Sequence, residues 1–200
     1  MRETDLADEL FRAPGSAPPT GVRVATARRG GVTVTRVEIA REGLERPRGR
    51  YVTLEVPRVS LLDERDEAVI EPAAAELQAL LPPAGPVLVL GVGNRRVTSD
   101  ALGPRTVQKI FVTMGQHAVP VQGIRPVAAV APGVSAATGL SLQQLAGALV
   151  REIRPAALLC VDSLCSSGWA GPCNSRTPGC SRPSPATAAI WTQPGWGCRS

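Results

Sequence analysis

Lysine is almost missing from this 200-residue chain: 21 of its 22 basic residues are arginine, and Lys109 is the exception. Phosphate-binding surfaces usually mix the two cations in clusters, so the bias reads as GC-rich coding rather than nucleic-acid recognition. Long apolar runs are missing too, and nothing approaches the roughly 18 residues of a membrane-spanning helix. The first twenty residues are acidic and lack an apolar core. No secretory signal is read there, and the expected compartment is the cytoplasm. Acid is absent after Asp162, which leaves Arg176, Arg182 and Arg199 unopposed within a net charge of +5. Up to Asp162, 17 acids meet 19 bases and the excess is only +2. Neither direct nucleic-acid binding nor membrane association is expected.

Close cysteine pairs are also lacking. Cys160, Cys165, Cys173, Cys180 and Cys198 are separated by four, seven, six and seventeen residues. A zinc site would want pairs such as C-x-x-C, and a disulfide framework would want a secreted chain. Neither a metal nor a cofactor is expected. Four of the cysteines and all three tryptophans, Trp169, Trp191 and Trp196, fall in the last 38 residues. From Leu164 onward the chain shows neither helical nor strand period and contains five prolines. Three regions follow: an N-terminal segment over 1–20, an α/β domain over 21–163, and an anomalous tail over 164–200 expected to be disordered.

Within the middle region the first signals are β. Val22–Ala27 and Val32–Ala40 alternate around Arg28-Arg29-Gly30-Gly31, the pattern of a hairpin. Arg50–Val56 is a third strand, closed by Pro57. Glu64–Leu81 has Val69, Ala73, Leu77 and Leu80 at helical spacing, with Pro72 implying a kink or a helix start near Glu71. The pattern then becomes α/β. Pro86–Leu90, Val127–Val130 and Ala156–Val161 are continuous apolar runs, as in strands buried on both faces. Helices are expected at Arg105–Gln116 and from Ser141 to about Ile153, the second opened by a Ser141/Gln144 capping box. The expected fold is α/β: a mostly parallel sheet with flanking helices, preceded by a β-hairpin region.

In a parallel open sheet, sites form at the carboxyl ends of the strands. Two acids stand there, Asp100 in the loop after Leu90 and Asp162 directly after its strand. Two neighbouring carboxylates resist double ionisation, so one can activate water while the other donates a proton. The competing reading of Asp100 is a helix cap worth about 1 kcal/mol. Gly91-Val92-Gly93-Asn94 lacks the third glycine of a dinucleotide fingerprint, and its glycines read as turn formers. Asn94 is either a turn residue or a polar group facing the acids. His117, the only histidine, reads as a solvated helix end, Cys160 as core, and Arg95 and Arg96 as loop charges.

These segments resemble the spore germination protease family. The likeness is carried by Arg2-Glu3-Thr4-Asp5-Leu6-Ala7, Tyr51-Val52-Thr53-Leu54-Glu55-Val56-Pro57, Leu90-Gly91-Val92-Gly93-Asn94 and Val97-Thr98-Ser99-Asp100-Ala101-Leu102-Gly103-Pro104. It continues through Arg125-Pro126-Val127, Ala131-Pro132-Gly133-Val134, Thr138-Gly139 and Val161-Asp162-Ser163-Leu164. The resemblance implies an α/β endopeptidase of small acid-soluble spore proteins that acts during germination in the spore core. It also implies a zymogen processed near residues 1–20, a homotetramer in intact relatives, and Asp100 and Asp162 as the catalytic pair. The glycine-asparagine loop leading to Asp-x-x-Gly is similar as well to hydrogenase-maturation proteases. That likeness implies a related fold and, as an alternative, a metal-dependent peptidase that would need a further ligand. Relatives continue with a long C-terminal portion that the tail does not match. Read one base later, the codons of Ile190–Gly197 permit Ser-Gly-Leu-Ser-Pro-Gly-Gly-Val, close to a family motif, so a frameshift near Ser163–Cys165 is expected. A chain cut short in this way leaves an inactive fragment as the further alternative to the endopeptidase reading.

Overall fold

The computed structural model describes residues 6–11, 17–29, 31–56, 66–115, 123–134 and 138–163. His117 and the tail over 164–200, with its expected disorder, lie outside the described residues. No described helix is long and apolar enough to cross a membrane. The chain divides into two units, the first running to Gln78 and the second over Ala79–Ser163.

The first unit is built on an antiparallel sheet. Strands β1 (Val22–Arg29) and β2 (Val32–Ile39) form the expected hairpin, and β3 (Gly49–Glu55) adds to β2, giving the order β1-β2-β3. The register pairs Val22 with Ile39 and Val37 with Tyr51, so alternate residues share one face. A five-residue helix, α1 (Ala7–Phe11), lies on that face. Ala7, Val22, Val37 and Ile39 are buried together there, with Phe11, Val24, Leu44 and Tyr51 around them. Asp8 is buried beside them and accepts a hydrogen bond from Thr53 Oγ1 at 2.6 Å. Helix α2 (Glu67–Leu80) lies within the expected Glu64–Leu81 and carries Pro72 inside it, so of the two readings of Pro72 the start near Glu71 does not hold. Proline costs a helix one backbone bond. The Arg36 guanidinium of β2 grips the Glu76 carboxylate of α2 with two donors, Nε at 2.9 Å, and this pair raises the Arg36 pKa.

The second unit holds β4 (Val87–Gly91), α3 (Leu102–Lys109), β5 (Val127–Val130), α4 (Leu142–Ile153) and β6 (Ala157–Val161). Its strands are parallel in the order β5-β4-β6. The architecture is therefore mixed α/β, as expected: an antiparallel hairpin sheet precedes a small parallel sheet, each of three strands. Central β4 is buried throughout, as its apolar run requires. The edge strands are only half-buried along most of their length, although their sequences are as apolar. The core gathers Val87, Val89, Ala157 and Val161 against Leu102, Val107 and Ile110.

Helix α3 starts three residues before the expected Arg105 and stops at Lys109 rather than Gln116. Pro104 fits its first turn, where backbone N–H groups have no helical acceptor. Past Lys109 the amides of Thr113 and Met114 both donate to the Val127 carbonyl at 3.0 Å. The Thr113 hydroxyl donates to Arg125 O and accepts from Val127 N–H, each at 2.8 Å. Those bonds to β5 hold the segment extended. Helix α4 has the full capping box expected of Ser141 and Gln144, and Arg154 closes it in the left-handed region at φ 50°.

Candidate active site

The order β5-β4-β6 makes β4 a switch point. The chain leaves β4 for one edge of the sheet, and after β5 it crosses to the other edge to form β6. Crevices in parallel sheets open where successive connections diverge in this way. Here the carboxyl ends of β4 and β6 are neighbours: Gly91 is the register partner of Val161, and Val92 N–H donates to the Val161 carbonyl at 2.8 Å. Asp162 is the residue immediately beyond, half-buried, with its Oδ1 accepting from Ser163 N–H at 2.8 Å.

Asp100 reaches the same place by a loop. After β4 the chain turns at Gly93, whose φ is +118°, and runs through a single 3-10 turn at Thr98–Asp100 into α3. Gly103 seats α3 against both strand ends. A β carbon there would lie 2.2 Å from the Val92 carbonyl oxygen and 2.4 Å from that of Val161. Gly91, by contrast, serves close approach rather than a turn, since a β carbon on it would meet the Gly103 carbonyl oxygen at 2.2 Å. The N-cap of α3 is Ala101, with no side-chain cap bond. The capping reading of Asp100 is thereby overturned. Its Oδ2 instead accepts the Asn94 backbone N–H at 2.7 Å.

Asp100 and Asp162 line one cleft of about 260 Å³. Gly93 and Val92 border them, and the rest of the wall comes from the segment after β5 and the start of α4: Pro132, Gly133, Val134, Thr138, Leu140, Ser141, Leu142 and Leu145. The sequence pointed to the two acids but not to this second wall. Its signals were present in the Pro132-Gly133 break at a strand's carboxyl end and in the Ser141 cap, yet only the path of the chain from β5 to α4 brings them opposite the acids. Arg95 and Arg96 are exposed, as loop charges are. Cys160 is half-buried in β6, and its thiol pKa is raised by burial and, second, by the Asp162 carboxylate. A thiol held in that state is a poor nucleophile. Among the described residues no three of His, Cys, Asp and Glu converge as a metal site. What the cleft offers is two carboxylates on one cavity, a setting for moving a proton to and from a bound water.

The germination protease family model matches residues 9–171, which include both aspartates and every residue of the cleft. A germination protease of Clostridium acetobutylicum is 35% identical over 178 residues, covering 80% of this chain and 54% of the relative. One from Clostridium tetani is 33% identical over 177 residues, covering 82% and 55%. One from Priestia megaterium is 36% identical over 159 residues, covering 72% and 42%. The chain thus spans about half the length of the curated relatives it matches.

Proposed function

This chain belongs to the germination protease family, and from that premise we propose that its cleft hydrolyses peptide bonds of small acid-soluble spore proteins in the core of the germinating spore. The observation that carries the reading is that Asp100 and Asp162, far apart in sequence, line one cleft at the ends of adjacent parallel strands.

The two carboxylates divide the work. One takes a proton from a water molecule as the water oxygen attacks the peptide carbonyl carbon. The other gives its proton to the carbonyl oxygen as the double bond opens. When the tetrahedral carbon collapses, the C–N bond breaks, the leaving nitrogen takes the proton of the first carboxyl, and one hydroxyl of the diol returns a proton to the second carboxylate as the carbonyl re-forms, so the pair ends with the proton it began with. General acid–base catalysis of this kind contributes about 10²–10⁴-fold. The fold proposed for the complete protein is that of the hydrogenase-maturation proteases, with a zymogen stage and assembly as a homotetramer.

The test is cleavage of a small acid-soluble spore protein by the purified chain. Cleavage that persists in a chelator and falls about 10²–10⁴-fold in Asp100→Asn and in Asp162→Asn is the expected result. Loss in chelator would favour the metal-dependent alternative. Cleavage retained by both variants, or absent from the unsubstituted chain, would overturn the reading for this chain.

A further inference from the structure

We propose that Asn94 is a positioning residue for Asp100, its side chain closing the turn that brings its own backbone N–H onto the carboxylate. The proposal deepens the reading of the cleft as a peptidase site and rests on it for its catalytic consequence. Three hydrogen bonds meet at this one residue. Its side-chain Oδ1 accepts the Arg96 N–H at 3.0 Å, which closes an Asx turn. Its carbonyl oxygen accepts the Val97 N–H at 3.0 Å, and the Val97 carbonyl in turn accepts the Asp100 N–H at 2.9 Å. The chain between Asn94 and Asp100 is thus folded back on itself. The Asn94 N–H then meets Asp100 Oδ2 at 2.7 Å and closes the ring.

The other side of the carboxylate is set by what is missing. Gly93 carries no β carbon; one would stand 2.8 Å from Asp100 Oδ1 and 2.2 Å from the Asp100 carbonyl oxygen. Asp100 therefore has one oxygen tethered and the other beside Gly93, without a hydrogen-bond donor among the described residues. A carboxylate free to rotate would present either oxygen to water. Tethering Oδ2 leaves Oδ1 as the oxygen through which Asp100 exchanges a proton, whichever of the two roles it takes. Arg95 and Arg96 occupy the tip of the turn and are exposed, so the closing force comes from Asn94 rather than from side chains packed over the loop.

The experiment compares Asn94→Ala, Asn94→Ser and Asp100→Ala in the full chain. It uses amide hydrogen exchange at residue 94, with Val89 in β4 as internal reference, alongside cleavage kinetics. Asn94→Ala is expected to lower protection of the residue-94 amide about tenfold while Val89 is unchanged. It is also expected to lower kcat about tenfold with KM within about twofold, because the group lost orients a reacting carboxylate and binds no substrate. Serine can accept the same Arg96 N–H, so Asn94→Ser restores most of both. Asp100→Ala, which removes the acceptor, lowers the same amide's protection. Unchanged protection in Asn94→Ala or in Asp100→Ala, or a serine variant as impaired as the alanine one, would overturn the proposal. Exchange does not depend on catalysis, so a chain that cleaves nothing removes the peptidase reading and leaves the exchange results to decide on Asn94.

Discussion

Gly103 lies so close to Val92 that a β carbon on it would stand 2.2 Å from the Val92 carbonyl oxygen. Val161 closes the other side at 2.4 Å, and both contacts are to backbone, which no side-chain rotation relieves. Any larger residue must push the first turn of α3 off the two strand ends. Gly103→Ala is expected to cost about 2–3 kcal/mol of unfolding free energy, the upper part of the range for overpacking. Denaturant unfolding measures it, and a loss below about 0.5 kcal/mol, the size of an ordinary surface change, would mean that α3 is not seated there.

Gly93 and Gly31 both hold positive φ, at +118° and +89°. Their surroundings differ. A β carbon meets nothing within 4 Å at Gly31, whereas at Gly93 it would lie 2.2 Å from the Asp100 carbonyl oxygen. Gly31→Ala is expected to cost only the backbone penalty, about 1–2 kcal/mol. Gly93→Ala adds a clash and displaces Asp100, so it should be the more damaging to both stability and cleavage. Equal unfolding midpoints for the two variants would contradict this.

Asp8 is 4% exposed and takes its hydrogen bond from Thr53. Thr53→Val keeps the shape and removes the donor, leaving a buried acceptor unsatisfied at about 1–3 kcal/mol. The double variant Asp8→Ala/Thr53→Val should lose less than the two single changes added together, because neither partner is then stranded. A denaturant double-mutant cycle checks the coupling, and strict additivity would show that the bond does not hold α1 on its sheet.

The Cys160 thiol is expected to alkylate slowly at neutral and mildly alkaline pH, since burial and the Asp162 carboxylate both raise its pKa. Asp162→Asn removes the second cause and should speed alkylation at a fixed pH; peptide mapping by mass spectrometry follows the site. The linkage has a definite sign. The folded chain holds this proton more tightly than the unfolded chain does. Its contribution to stability is therefore complete below the ordinary thiol range and is lost as pH rises through the raised value. Alkylation as fast as that of a free thiol would show that Cys160 is not held this way.

The features legible in the sequence were those with local causes. The Gly-Gly hairpin, the Ser141/Gln144 capping box and the apolar run of β4 each carry their reason within a few residues. So did the placement of both aspartates, because each follows a strand whose apolar run marks its end. The misread features have distant causes. Periodicity carries a helix on to Gln116, but Thr113 is held extended by bonds to Arg125 and Val127, which no local pattern encodes. Asp100 before a helix reads as a cap until the Asn94 N–H arrives from the other side of a loop. The wall formed by Thr138, Leu142 and Leu145 exists only because β6 is laid beside β4 rather than beyond β5.

That strand order also sets a timetable. The first aspartate of the cleft and the second are 62 positions apart, and the second directly follows β6, the last strand of its sheet along the chain. At a synthesis rate of about 5–20 residues per second, roughly 3–12 s separate the appearance of the two carboxylates. During that interval the nascent chain contains the residues of β4 and α3 and Asp100, but no partner acid. A ribosome making this protein therefore carries one acid of the cleft without the other until Asp162 has been translated.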